Sequence, residues 1–114
     1  MADCLFCKIV SRDVPGSVVY EDEHLMAFTD INPQAPTHIL LVPKRHIASL
    51  NELTAQDDQI VGELVRRAAA IAKERGISTR GYRTVFNTNS DAGQTVFHIH
   101  LHLLGGRHMH WPPG

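Results

Sequence analysis

A chain of 114 residues, 43% hydrophobic and 20% charged, has the length of one domain with a real core and the composition of an ordinary water-soluble globular protein. A formal net charge of −1 argues against electrostatic capture of nucleic acid or of an anionic membrane, either of which needs a basic patch, so an anionic substrate would be held by local hydrogen bonds. No apolar run approaches the ~18 residues of a membrane span, and Met1-Ala2-Asp3-Cys4 lacks the basic-then-apolar pattern of a secretory leader, so the cytosol is the expected compartment.

The first expected element is a short helix over residues 4–11, with Leu5, Ile9 and Val10 available to pack and Pro15-Gly16 marking the turn after it. It carries Cys4 and Cys7, which in a cytosolic chain read as a metal pair or free thiols rather than a disulfide framework. Ser17–Glu21 and Leu25–Thr29 read as two strands joined around Asp22-Glu23 in a hairpin. Residues 30–36 form a proline-punctuated loop, and Thr37–Pro43 is an apolar strand closed by proline. Thr54 with Asp57 resembles a capping box, although Asp is a weaker partner there than Glu or Gln. It opens the one strong helix, in which Ile60, Val61, Leu64, Val65, Ala68, Ile71 and Ala72 recur at helical spacing and Gly76 is a natural stop. Tyr82–Thr88 is a further strand, Ser90–Gly93 a turn and His98–Leu104 the last strand; residues 105–114, rich in glycine and proline, are an irregular tail. Short links between consecutive strands and a single long helix predict one α+β domain over residues 1–114. Its core is a mainly antiparallel sheet of about five strands with the helix on one face.

The last strand carries the chemistry. Five of the eight histidines lie between residues 98 and 110. His98, His100 and His102 alternate with Phe97, Ile99, Leu101 and Leu103, so on a strand the imidazoles share one face and the apolar residues turn to the core. Same-face residues two apart are separated by about 7 Å and those four apart by about 13 Å, while metal–nitrogen bonds are about 2.0–2.1 Å. Two neighbouring imidazoles can share an ion; His98 and His102 together hardly can. At least one histidine is therefore left for nucleophilic, acid–base or ligand-contacting work.

His-x-His-x-His followed by two aliphatic residues, with Gly93-Gln94 just upstream, resembles the signature of the histidine-triad (HIT) superfamily. Four further stretches resemble its nucleotide-binding, purine nucleoside phosphoramidase branch: Phe28-Thr29-Asp30-Ile31, Pro33-Gln34-Ala35-Pro36-Thr37-His38, Gly81-Tyr82-Arg83 and the tail from Gly105 to Gly114. The likeness spans nearly the whole chain. It implies a HIT-like fold, a homodimer, and hydrolysis of the P–N bond of purine nucleoside 5′-phosphoramidates. The same superfamily also implies a dinucleoside polyphosphate hydrolase as an alternative, and a nucleotide-binding scaffold with incidental turnover is a third reading.

The resemblance also assigns roles. His100 attacks the α-phosphorus to give a nucleotidyl-histidine, which water resolves; imidazole is neutral over much of the physiological range and a good nucleophile. His102 would hydrogen-bond phosphate oxygens, and His38 would help fix the imidazole network, although by itself His38 also reads as a satisfied core histidine. Asn87, Gly93, Gln94 and Thr95 form the phosphate and leaving-group side: glycine allows close backbone approach, Gln94 donates through its amide and Thr95 through its hydroxyl. Thr95 stands where relatives more often have serine, and Asn89 and Ala92 where they commonly have glycine; asparagine tolerates a left-handed backbone better than alanine. Asp30 would clamp the ribose hydroxyls, and Ile31, Phe6, Phe28 and Leu40 would wall the base, the last three being equally readable as core. Trp111, in the tail, would lie near the partner subunit's site. Finally, the resemblance gathers Cys4, Cys7, His46 and His98 into a structural zinc site, a Cys₂His₂ set with no open position for catalysis; without a metal, the pair is a helix with two buried thiols.

Overall fold

The structure, a computed structural model, describes residues 4–114, so the start Met1-Ala2-Asp3 used to infer a compartment lies outside the described residues. The elements in chain order are α1 (Leu5–Val10), β1 (Val18–Glu21), β2 (Leu25–Thr29), β3 (Thr37–Pro43), two 3₁₀ turns (Leu50–Glu52 and Ala55–Asp57), α2 (Asp58–Glu74), β4 (Tyr82–Val85) and β5 (Leu101–Gly105). The sheet order is β1-β2-β3-β5-β4, with every neighbouring pair antiparallel. This is the α+β architecture expected, with five strands and one long helix.

Strand alternation divides the apolar residues between two cores. Leu25 and Ala27 of β2, Ile39 and Leu41 of β3, and Leu101 and Leu103 of β5 meet Leu64, Ala68, Ile71 and Ala72 of α2. The intervening Met26, Phe28, Leu40 and Val42 point the other way and close against Phe6 and Ile9 of α1. Helices thus cover both faces, which is why β2 and β3 are buried almost continuously instead of alternating. His102 pairs with Leu40 and His38 with Leu104, so both imidazoles stand on the α1 face.

Local signals explain the helices. The Thr54–Asp57 capping box is complete even with aspartate: it caps the 3₁₀ turn that runs into α2, and buried Asp57 also pairs with Arg45. Gly76, at φ +74°, follows the last helical turn as a left-handed stop. Val65 lies outside the core at 48% exposed, at the margin of the apolar stripe. In α1 it is Phe6 and Ile9 that are buried, while Leu5 faces outward.

Three expected features are corrected. The strand expected over Tyr82–Thr88 ends at Val85, whose partner is His102. The strand expected over His98–Leu104 begins only at Leu101 and runs to Gly105. Residues 98–100 leave the sheet because other bonds claim them: Ile99 N–H donates to Ile47 O at 2.8 Å and His98 Nε2 to Pro43 O at 2.7 Å. Phe97, upstream of that departure, escapes the strand alternation and is 51% exposed instead of facing the core.

Candidate active site

On the α1 face a cavity of about 380 Å³ opens between α1, the turn after it, β2, β3 and the triad segment. Phe6, Phe28, Leu40, Asp30, Ile31, Thr95, His100 and His102 all line it, brought together from four separate parts of the chain. Leu5, Ile9, Thr29, Val96 and the turn Val14-Pro15-Gly16-Ser17 complete the wall. Those four turn residues carried no chemical signal beyond Pro15-Gly16 marking a bend. Phe6 meets the His100 ring edge to face, with centroids 4.9 Å apart, so α1 holds that imidazole as well as roofing the cavity. Ile31, 99% exposed, stands free at the rim.

Backbone groups have fixed polarity, and they set the tautomers. Gln34 N–H donates to His38 Nδ1 at 3.0 Å, so neutral His38 carries its hydrogen on Nε2. That hydrogen points to His102 Nδ1 at 2.9 Å, with Asp30 Oδ2 at 3.4 Å from the same nitrogen. His102 must then carry its own hydrogen on Nε2, and this atom is buried with no hydrogen-bond partner. His100 is wired oppositely: its Nδ1–H donates to the His98 carbonyl at 2.8 Å, leaving the lone pair on Nε2. The two rings lie 5.0 Å apart. One presents a lone pair, its neighbour an unspent donor.

Desolvation keeps these rings neutral. Burial first, then the neighbouring His100 and His38, push His102 down to about 4. Burial also lowers His100 and His38, opposed at His38 by the Asp30 carboxylate.

His98 serves a different cluster. Fully buried, it donates Nε2–H to Pro43 O and turns the Nδ1 lone pair toward the cysteines. Nδ1 lies 3.3 Å from Cys4 Sγ and 3.5 Å from Cys7 Sγ, and His46 Nδ1 lies 3.4 Å from Cys7 Sγ. All four ligating atoms fall within 4.8 Å of one another. A tetrahedral ion bound at zinc–sulfur and zinc–nitrogen lengths would separate sulfur from nitrogen by about 3.5 Å, so these edges already have the right span. A carbonyl fixing the far nitrogen of a ligating histidine is the usual support for such a site. Cys7 is pushed up to about 11, by burial and then by Cys4, so a cation is what would let this sulfur ionise.

The remaining expected residues are placed elsewhere. Gln94 is 5% exposed, and its Nε2 gives both hydrogens to carbonyls, Ala48 O at 2.8 Å and Val96 O at 3.1 Å, while its Oε1 accepts from Asn89 N. The expected donation by this side chain into the site is therefore corrected: it braces the 89–96 turn. Asn89 takes the left-handed conformation at φ +63°. Asn87, Gly93 and Trp111 do not line the cavity, and Trp111 is 82% exposed on the tail.

A family model described as "HIT domain" matches residues 11–109. The chain is 52% identical over 112 residues to a HIT-like protein of Synechococcus elongatus, covering 98% of this chain and 97% of that one. It is 48% identical over 105 residues to the purine nucleoside phosphoramidase of Escherichia coli K12, covering 92% of this chain and 88% of that one. A crystal structure of a HIT family hydrolase from Legionella pneumophila superposes with TM-score 0.97 at 54% identity, covering 98% of this chain and all of the other. With the match running through every strand and the triad itself, the protein belongs to the HIT domain family and is a hydrolase of that family.

Proposed function

We propose that this hydrolase cleaves the P–N bond of purine nucleoside 5′-phosphoramidates and releases the nucleoside monophosphate. The observation that carries the reading is the pair of opposed tautomers at the cavity: a lone pair on His100 Nε2 beside the unpartnered N–H of His102. His100 Nε2 attacks the α-phosphorus, the P–N bond breaks, and the amine departs with a proton relayed through the Thr95 hydroxyl, which takes one from solvent at the open cavity as it gives one up. His102 Nε2–H donates to the phosphate oxygens as charge gathers on them. The His100 Nδ1–H bond to the His98 carbonyl steadies the cationic nucleotidyl-imidazole, which water then hydrolyses to the monophosphate and free His100. Asp30 accepts from the ribose hydroxyls, and Phe6, Phe28, Leu40 and Ile31 wall the base. A 380 Å³ cavity with mostly apolar walls is in the range that holds one such small ligand.

In the same reading residues 1–114 work as one HIT domain in the cytosol, as a homodimer, with Asn87, Gly93 and Trp111 contributing on the leaving-group side. Among the described residues no helix is long and apolar enough to cross a membrane. Cys4, Cys7, His46 and His98 would hold a structural zinc ion, which ties α1 to the triad segment and takes no part in the reaction. Elemental analysis of the purified protein should then give zinc in the wild type and none in Cys4→Ser.

The function is tested by incubating the protein with adenosine 5′-phosphoramidate and, separately, a diadenosine polyphosphate, following AMP release. Faster turnover of the phosphoramidate supports the reading. The opposite preference favours the polyphosphate hydrolase, and binding of AMP without turnover of either favours a scaffold.

A further inference from the structure

After β5 the chain folds back over the 30–36 loop. Gly106 makes this turn at φ +91°, so close to Pro36 that a Cβ would stand 2.9 Å from the proline ring. The turn delivers Arg107, whose Nε–H donates to Gln34 O at 2.9 Å while Nη1 donates to His108 O at 3.0 Å. Gln34 is the residue whose N–H fixes the His38 tautomer. Its side chain adds a bond to Asn32 O, and Asn32 N–H donates to Asp30 Oδ1, so the loop is anchored at Asp30 and at Arg107 with residue 34 held from both sides.

We infer that Arg107 is a positioning residue: by gripping the Gln34 carbonyl it aims the Gln34 amide at His38 Nδ1, and so keeps a hydrogen on His102 Nε2. The kinetic part of this inference rests on the function proposed above. The tautomer part rests on the hydrogen bonds alone. If the Gln34 amide swings away, His38 Nδ1 is free to take the hydrogen, and Nε2 becomes an acceptor. His102 Nδ1 then donates to it, and His102 Nε2 presents a lone pair where a phosphate oxygen needs a donor. Asp30 Oδ2, 3.4 Å from His38 Nε2, still favours the original arrangement. Losing Arg107 therefore loosens the lock without reversing it.

The test uses the full-length protein, with the imidazole nitrogens followed by ¹⁵N NMR and steady-state kinetics on adenosine 5′-phosphoramidate run alongside. In the wild type, His38 and His102 should each show a protonated Nε2 and an unprotonated Nδ1. In Arg107→Ala both rings should move toward tautomer-averaged signals, with kcat down about 5-fold, the worth of one net hydrogen bond, and KM little changed. Arg107→Lys, which keeps a donor, should recover part of both effects. Arg107 is exposed, so the substitutions leave the fold in place. Unchanged ring signals in Arg107→Ala overturn the inference, as do shifted signals with undiminished kcat. Should the wild type fail to turn over the phosphoramidate, the proposed function falls, and the ring signals alone still decide the role of Arg107.

Discussion

The two faces of the sheet are built from alternate residues of the same strands and reach opposite conditions. Toward α2, Leu25, Ala27, Ile39, Leu41, Leu101 and Leu103 form a closed apolar contact with one amphipathic helix. Toward α1, the same strands present Leu40, His38 and His102, roofed by only a six-residue helix and left open at a cavity. The short cover is what makes the second face usable: it buries the imidazoles enough to hold them neutral while leaving a donor on His102 without a partner. Stability should therefore sit mainly on one face and chemistry on the other.

Substitutions on the two faces can break that division. The largest effect is expected from His100→Gln: without the Nε2 nucleophile, kcat should fall by about 10⁴-fold or more, with the circular dichroism of a folded protein retained. Leu103→Ala, on the α2 face, should cost about 2–5 kcal/mol of unfolding free energy in a denaturant titration and leave kcat per folded molecule near the wild-type value. His102→Ala, on the cavity face, should do the reverse, lowering kcat by about 10²–10³-fold with little change in midpoint. A large kcat loss in Leu103→Ala, or a large stability loss in His102→Ala, would contradict the separation of roles.

A further effect separates the two faces by pH. His102 is held down at about 4 against an ordinary 6.5, so the folded protein keeps this ring neutral in a range where the unfolded chain protonates it. Its contribution to stability is fully present above pH 6.5 and is lost progressively as pH falls toward 4. For the same reason the acid limb of the kcat profile should lie well below 6.5. An acid limb at 6.5 or higher would mean that the ring is not desolvated.

Much of the α2 face is legible in the sequence because one period carries it: Leu64, Ala68, Ile71 and Ala72 at helical spacing meet strands whose limits Pro43 and the Asp22 turn announce. The cavity face is legible only in its residue types. His98-Ile99-His100 continues the alternation of Leu101–Leu103, so nothing local reveals that it leaves the sheet. The cause is tertiary, a ring drawn to cysteines more than ninety positions earlier and to the Pro43 carbonyl. Gln94 shows the same limit: its sequence context marks a donor, and only the fold supplies the Ala48 and Val96 carbonyls that use it up. The groups that set the tautomers, Gln34 N–H and the His98 carbonyl, are main-chain atoms and have no sequence signature at all.

The central claim, a covalent reaction at His100 assisted by His102, is tested most directly by rapid quenching of the enzyme with adenosine 5′-phosphoramidate and mass analysis of its peptides. The account predicts an adenylyl adduct on His100 that forms before AMP is released and is missing in His100→Gln. AMP release that persists undiminished in His100→Gln, or an adduct on any other residue, would contradict it.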